Sequence, residues 1–112
     1  MRRNKYNARK VNRDGYVFDS QREANRYSEL RVLERAGEIG ALEVHPRYIL
    51  QEAFDDAWGT HYRPIHYVGD FVYWENGDHI VEDVKGVETQ VFKIKRKLFA
   101  KRYPNYKLIV TR

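Results

Sequence analysis

The sequence predicts an α/β protein in which helices pack on one mixed sheet, the elements running helix, three strands, helix, strand. Three observations carry that expectation. A segment of helical period opens at Ser20 and stops at Gly37, two alternating segments flank Asn76-Gly77, and a second helical segment lies between Thr89 and Pro104 ahead of a short apolar end.

Each element follows from local chemistry. Residues 1–13 are basic and begin without a hydrophobic period, which reads as an arm; Arg13-Asp14-Gly15 reads as a turn into a short extended piece, Tyr16-Val17-Phe18. Ser20 is placed to cap a helix over residues 20–36, and Glu23, three residues on, completes a capping-box pattern. Tyr27, Leu30, Leu33 and Ala36 keep helical spacing and should lie against the rest of the fold, with Gly37 as the stop. Residues 42–54 read as an extended strand or a bent pair, Pro46 marking an edge or a bulge, and 55–60 as a loop. A long alternating strand is expected over 62–74, a hairpin turn at Glu75-Asn76-Gly77-Asp78, and a returning strand over 80–84. Thr89 can cap the second helix, whose apolar positions Val91, Ile94 and Leu98 share one face; Pro104 ends it, and 107–111 supply the last strand.

Composition limits what such a fold can be. A chain of 112 residues has room for one hydrophobic core, so a single domain over 1–112 is expected. It has no cysteine, which excludes disulfides and thiolate metal sites. No stretch has the apolar length of a bilayer span, and the basic start lacks the apolar core of a secretion signal, so a cytoplasmic location is expected, with no membrane partner. The net charge of +5 hides a segregation of sign. Six cations fall in residues 1–13 and eight in 90–112, with no acid in either stretch, while all 16 acids lie between them. Basic ends can serve solubility alone, but a basic arm together with a basic helix is also the footprint of a protein that meets a polyanion.

The hairpin turn fixes which residues meet. A two-residue turn at Asn76-Gly77 sets Glu75 opposite Asp78 and, continuing the ladder, Asp70 opposite Asp83. Val72 and Val81 share that face, which suggests burial, and two facing carboxylates there repel unless one takes a proton or a cation sits between them. Otherwise the pair would have to lie on an exposed sheet surface. Lys85 projects from the same face and supplies one charge; a hard divalent ion such as Mg2+, with Mn2+ as a substitute, would supply the rest. Glu23 shares a helix face with Tyr27 and Leu30, so its carboxylate is aimed inward, where two roles are open to it: bonding the Ser20 amide as a cap, or joining the metal site.

Gly69-Asp70, then twelve residues, then Asp83-Val84-Lys85, preceded by a helix bearing Glu23, resembles the PD-(D/E)XK nuclease superfamily. The segments KYNARK, FDSQREANRYSEL, VEDVKG and TQVFKIKRKLF are similar to those of small phage-encoded members akin to archaeal-type Holliday junction resolvases. The resemblance spans nearly the whole chain and departs from the motif where Gly69 stands in place of proline. It implies a restriction-endonuclease-like core of order αβββαβ. It further implies that Asp70 and Asp83 bind the metal, with the Val84 backbone carbonyl as a third ligand, that Lys85 orients or activates the attacking water, and that Glu23 completes the metal shell directly or through water. Gln90 or Lys93 on the second helix would approach the scissile phosphate.

Phosphate contacts are expected from Arg2, Arg3, Lys5, Arg9 and Lys10 of the arm and from Gln90, Lys93 and Lys97 of the second helix. His45, His61, His66 and His79 have no metal-ligand spacing and read as scaffold, and the aromatics read as core, Tyr6 excepted. Glu82 lies on the strand face opposite Asp83 and should stay out of the site. The function expected is metal-dependent endonucleolytic cleavage of branched DNA by a homodimer of the four-way-junction-resolving type. A nuclease for another DNA structure and a non-catalytic DNA-binding accessory protein are the alternatives; a sequence-specific restriction-like enzyme is disfavoured, because so short a chain leaves little room for a recognition module.

Overall fold

The computed structural model describes residues 9–112, and the chain is α/β, with two helices and a mixed sheet. Val11–Arg13 (β1) and Tyr16–Phe18 (β2) form a small antiparallel hairpin, so the basic arm stops short of residue 13. Arg13 is turned back onto the first helix, where its Nη1 donates to the Ala24 carbonyl and the Ser28 hydroxyl, both at 2.9 Å. Helix α1 covers Gln21–Arg35, and the Ser20 hydroxyl accepts the Glu23 N–H at 3.1 Å, as the cap chemistry requires. At its other end the Gly37 N–H reaches the Glu34 carbonyl and the Glu38 N–H reaches the Leu33 carbonyl, the paired bonds of a Schellman motif. The buried stripe is Glu23, Ala24, Tyr27 and Leu30, with Leu33 partly buried; Ala36, expected in that stripe, is the exposed C-cap.

A four-stranded sheet carries the rest, in the order β10 (Tyr106–Thr111), β9 (Asp78–Val84), β8 (Phe71–Glu75) and β3 (Gly40–Val44). The first pair is parallel and the others antiparallel. Asn76 and Gly77 both have positive φ, 51° and 82°, which is the twist a tight I′ hairpin needs and which asparagine and glycine adopt at low cost. Its register is the expected one, from Glu75↔Asp78 through Val72↔Val81 to Phe71↔Glu82.

The long strand expected over 62–74 is instead three pieces: His61–Tyr62 (β6), Ile65–Val68 (β7) and β8. Likewise residues 42–54 are a bent series, with Arg47–Gln51 (β4) and Phe54–Asp55 (β5) following β3. The two breaks occur together. β4 pairs with β7 and β5 with β6 as separate two-stranded ribbons, while β3 and β8 stay in the main sheet, so residues 45–46 and 69–70 turn the same corner side by side. Two hydrogen bonds stitch the corner: His45 N–H to the Asp70 carbonyl at 2.9 Å and Gly69 N–H to the Pro46 carbonyl at 3.0 Å. Gly69 is required by contact, since a Cβ there would lie 2.8 Å from Val81 Cγ1. A proline at 69 would meet the same atom and remove the donor to Pro46.

The sheet has a core on each face. Ala24, Tyr27 and Leu30 of α1 pack with Phe18, Phe71, Tyr73 and Ile80, and helix α2 (Gln90–Arg102) packs Phe92 and Phe99 with Leu50, Tyr67, Val72 and Val81. The Thr89 hydroxyl caps α2 by accepting the Phe92 N–H at 3.1 Å. The shared apolar face of Val91, Ile94 and Leu98 is the one turned to solvent. Aromatic bulk decides the matter, because Phe92 and Phe99 bury more surface than the aliphatic side chains and draw Tyr48, Tyr103 and Tyr106 around them. Most aromatics are core as expected, whereas Phe54, Trp58 and Tyr62 of the β5–β6 ribbon are exposed; Tyr6 lies outside the described residues. Among the described residues no helix is long and apolar enough to cross a membrane.

Candidate active site

The corner where the chain leaves the main sheet gathers the chemistry. Asp70 sits one residue before β8, with its N–H on the Glu82 carbonyl at 3.0 Å and its Oδ2 accepting the Val84 N–H at 2.6 Å. Asp83, near the end of β9, is buried, and its carboxylate stands close enough to that of Asp70 for the charge of one to raise the titration of the other. The facing acids foreseen from the turn are therefore adjacent. Burial first, and then the charge of Asp83, pushes the Asp70 carboxyl up to about 8; burial likewise raises Asp83, opposed by hydrogen bonding from Tyr67 and by the charge of Lys85. Without a cation the pair retains a proton near neutrality.

Lys85 and Tyr67 hold Asp83 from two sides. The Lys85 ammonium is 3.6 Å from Asp83 Oδ1 and 4.5 Å above the Phe92 ring, so α2 supports it by a cation–π contact. The buried Tyr67 hydroxyl donates to Asp83 Oδ2, and burial together with the Asp83 charge keeps that phenol protonated by raising its titration well above the ordinary tyrosine range. Tyr67 had no sequence signal beyond an alternating aromatic.

Glu23 and His45 stand on the other side of Asp70. Glu23 is buried, and the capping box is completed unconventionally: Oε2 accepts from the Asp19 N–H at 3.3 Å rather than from Ser20, while Oε1 lies 2.8 Å from His45 Nε2. One ligand atom from each of Glu23, His45 and Asp70 lies within 4.8 Å of the others. His45, read from the sequence as scaffold, brings its imidazole beside two acids, and Asp83 lies outside that three-residue convergence, on the far side of Asp70. Val84 contributes its N–H to Asp70, and its carbonyl is not among the contacts that define the cluster.

The remaining histidines have structural partners: His61 with Asp55, His66 with Arg47, and His79 stacked between Trp74 and Tyr106. Glu82 is fully buried on the opposite face, as expected, and is satisfied there by Arg26 Nε and Nη2 at 2.7 and 3.0 Å, Tyr73 Oη at 2.6 Å and Thr111 Oγ1 at 3.1 Å. This ion pair ties α1 to β9 and carries no signal in the sequence, its partners being 56 residues apart.

Gln90, Lys93 and Lys97 line one exposed groove along α2, and none has a side-chain partner among the described residues. Of the arm, Arg9 and Lys10 are exposed, Lys10 paired with Asp19 at 2.9 Å; Arg2, Arg3 and Lys5 lie outside the described residues.

An α/β protein with a proton-holding pair of aspartates, one buried and one half-buried, a lysine beside the first and a glutamate–histidine pair beside the second is the class that fold and site define. The chain belongs to the family described as Protein of unknown function (DUF1064), whose model matches residues 3–112. No curated protein and no solved structure matches it.

Proposed function

We propose that this chain is a metal-dependent DNA endonuclease of the PD-(D/E)XK type, acting as a homodimer on branched DNA as a Holliday junction resolvase does. The observation that carries the reading is the pair of half-buried Asp70 and buried Asp83 beside Lys85 at the end of a hairpin. Support comes also from the element order of α1, β3, β8, β9, α2 and β10, which follows the αβββαβ core of that superfamily.

The residues fit a divalent cation. The Asp70–Asp83 pair, which otherwise keeps a proton, is a donor set a hard cation satisfies, with Asp70, Asp83, Glu23 and the Val84 carbonyl as candidate ligands and Mg2+ or Mn2+ as the ion. Such an ion polarises a phosphate and lowers the pKa of bound water. Asp70 is oriented by the Val84 N–H, so its second oxygen is left for a ligand role. Asp83 is fixed by Tyr67, and Lys85 stands where its ammonium can orient the attacking water and offset charge developing on the phosphate. Gln90, Lys93 and Lys97 extend a phosphate-binding surface along α2, and Arg2, Arg3, Lys5, Arg9 and Lys10 add the arm. Two symmetric nicks require two such sites, which is the basis for the homodimer.

The test is a Mg2+-dependent cleavage assay comparing four-way junction, flap and linear duplex DNA. Cleavage concentrated on the junction, lost in Asp70→Asn, Asp83→Asn and Lys85→Ala while binding persists, is the expected result. Preference for the flap would favour a nuclease for another DNA structure, and binding with no cleavage under any metal would reduce the chain to an accessory protein.

A further inference from the structure

We infer that His45 is a nitrogen ligand of the metal centre, making it a mixed site of Glu23, His45 and Asp70 that prefers Mn2+ or a similar transition ion to Mg2+. This rests on the reading of the cluster as a metal site but adds a ligand that the motif does not contain.

Geometry is the first argument. Ligand atoms on an octahedral ion at about 2.1 Å are about 3.0 Å apart when adjacent and about 4.2 Å when opposite. Atoms of Glu23, His45 and Asp70 already fall within 4.8 Å of one another, so small side-chain movements bring all three onto one ion.

The backbone is the second argument. His45 has φ +55°, a left-handed conformation uncommon for a residue with a side chain. The conformation is held by its N–H bond to the Asp70 carbonyl and by the following Pro46, whose carbonyl is bound by Gly69. An ordinary strand residue there would continue β3 and direct its side chain elsewhere. The left-handed turn instead sets the ring beside Phe18, 5.6 Å between centroids, with Nε2 on Glu23. Strained backbone of this kind persists where surrounding contacts over-determine it, and here those contacts belong to the residue that supplies the central carboxylate.

Chemistry is the third. Carboxylate and water oxygens suit Mg2+, whereas imidazole shifts preference toward later first-row ions, for which nitrogen is a better donor. With the His45 nitrogen added to carboxylate oxygens, and the His45 side chain 34 % exposed, the open side is left for water or a phosphate oxygen.

The experiment uses the full chain loaded with Mn2+ and read by electron spin-echo envelope modulation. Direct 14N coupling to Mn2+ is expected, replaced by 15N coupling when the protein is made with 15N-histidine and absent in His45→Asn, a substitution that tolerates positive φ. Calorimetric titration of the same two proteins should show Mn2+ affinity falling at least about tenfold in His45→Asn, with a smaller loss for Mg2+. Manganese bound without nitrogen coupling, or equal losses for both metals, would overturn the inference and leave His45 as an orienting partner of Glu23. Failure of Mn2+ to bind the wild-type chain would overturn it too. These readouts are independent of cleavage: an inactive protein with nitrogen-coupled Mn2+ would sink the nuclease reading alone.

Discussion

Replacing Asp70 by asparagine should make the metal-free protein more stable, and by an amount that depends on pH in a defined direction. At pH 7 the folded chain holds a proton on Asp70, whose carboxyl is pushed up to about 8, while the unfolded chain, titrating near 3.9, has released it. Retaining that proton over about three pH units, at about 1.4 kcal/mol each, costs about 4 kcal/mol; water reaching the half-open site lowers this to about 2 kcal/mol. The amide needs no proton, since its oxygen can accept the Val84 N–H and its NH2 can donate to Asp83. For a raised folded-state value, stability is complete below about pH 3.9 and is lost as pH rises through about 8. The wild type should therefore match Asp70→Asn at pH 4 and fall progressively behind it toward pH 8. With an unfolding entropy of about 2.1 cal/mol/K per residue, about 2 kcal/mol is a Tm difference of about 8 °C for a chain of 112 residues. Differential scanning calorimetry in EDTA at pH 4, 6 and 8 measures it. A gap of constant size across that range, or a wild type more stable than the variant at pH 8, would refute the reasoning.

Three further outcomes follow from other parts of the molecule. Arg26→Met should cost about 3 kcal/mol, because it strands the fully buried Glu82 carboxylate with only the Tyr73 and Thr111 hydroxyls; denaturant unfolding in low and high salt should show a loss that salt does not screen. Gly69→Ala should lower stability by about 1–3 kcal/mol through the 2.8 Å approach to Val81, read as a shift of the urea midpoint at unchanged slope. Deleting residues 2–10 removes five cations and should flatten the log–log salt dependence of DNA binding by up to about four units, with cleavage at saturating DNA retained; an unchanged slope would mean that the arm does not meet phosphate.

The parts of this structure governed by local chemistry were legible in the sequence. Asn76-Gly77 fixes a hairpin register by itself, and that register, paired as far as Phe71↔Glu82, leaves Asp70 and Asp83 at the next positions of the two chains; Ser20 and Thr89 cap helices because their hydroxyls need only the amide three residues on. What escaped depends on partners far along the chain. Residues 62–74 read as one extended run, and Gly69 within it does not by itself say whether the chain bulges or leaves the sheet; that depends on the matching break at residues 45–46. In α2 the aliphatic and aromatic residues each form a plausible inner face, and only the volume available between β4, β7 and the sheet selects the aromatic one. His45 carries no spacing signal because its place in the cluster comes from a left-handed backbone angle and from its N–H bond to Asp70, with the next residue, Pro46, bound by Gly69. The Arg26–Glu82 pair is equally silent, being one basic and one acidic residue among many until α1 is laid on β9.

The corner shared by residues 45–46 and 69–70 divides the cluster into parts of unequal freedom. His45 and Asp70 are joined through main-chain atoms, so the separation of their side chains is set by the peptide framework and is insensitive to how the core beneath is filled. Glu23 rides on α1, which meets the sheet through its side chains, at Tyr27, Leu30, the Arg26–Glu82 pair and Glu34 on the Leu42 N–H. A substitution that shifts α1 by a fraction of an ångström moves one acid against a fixed pair, and so alters affinity for an ion without dismantling the place where it would bind. Tolerance to change is thus distributed unevenly around a single cluster: the helix can be tuned, whereas the corner either forms or does not.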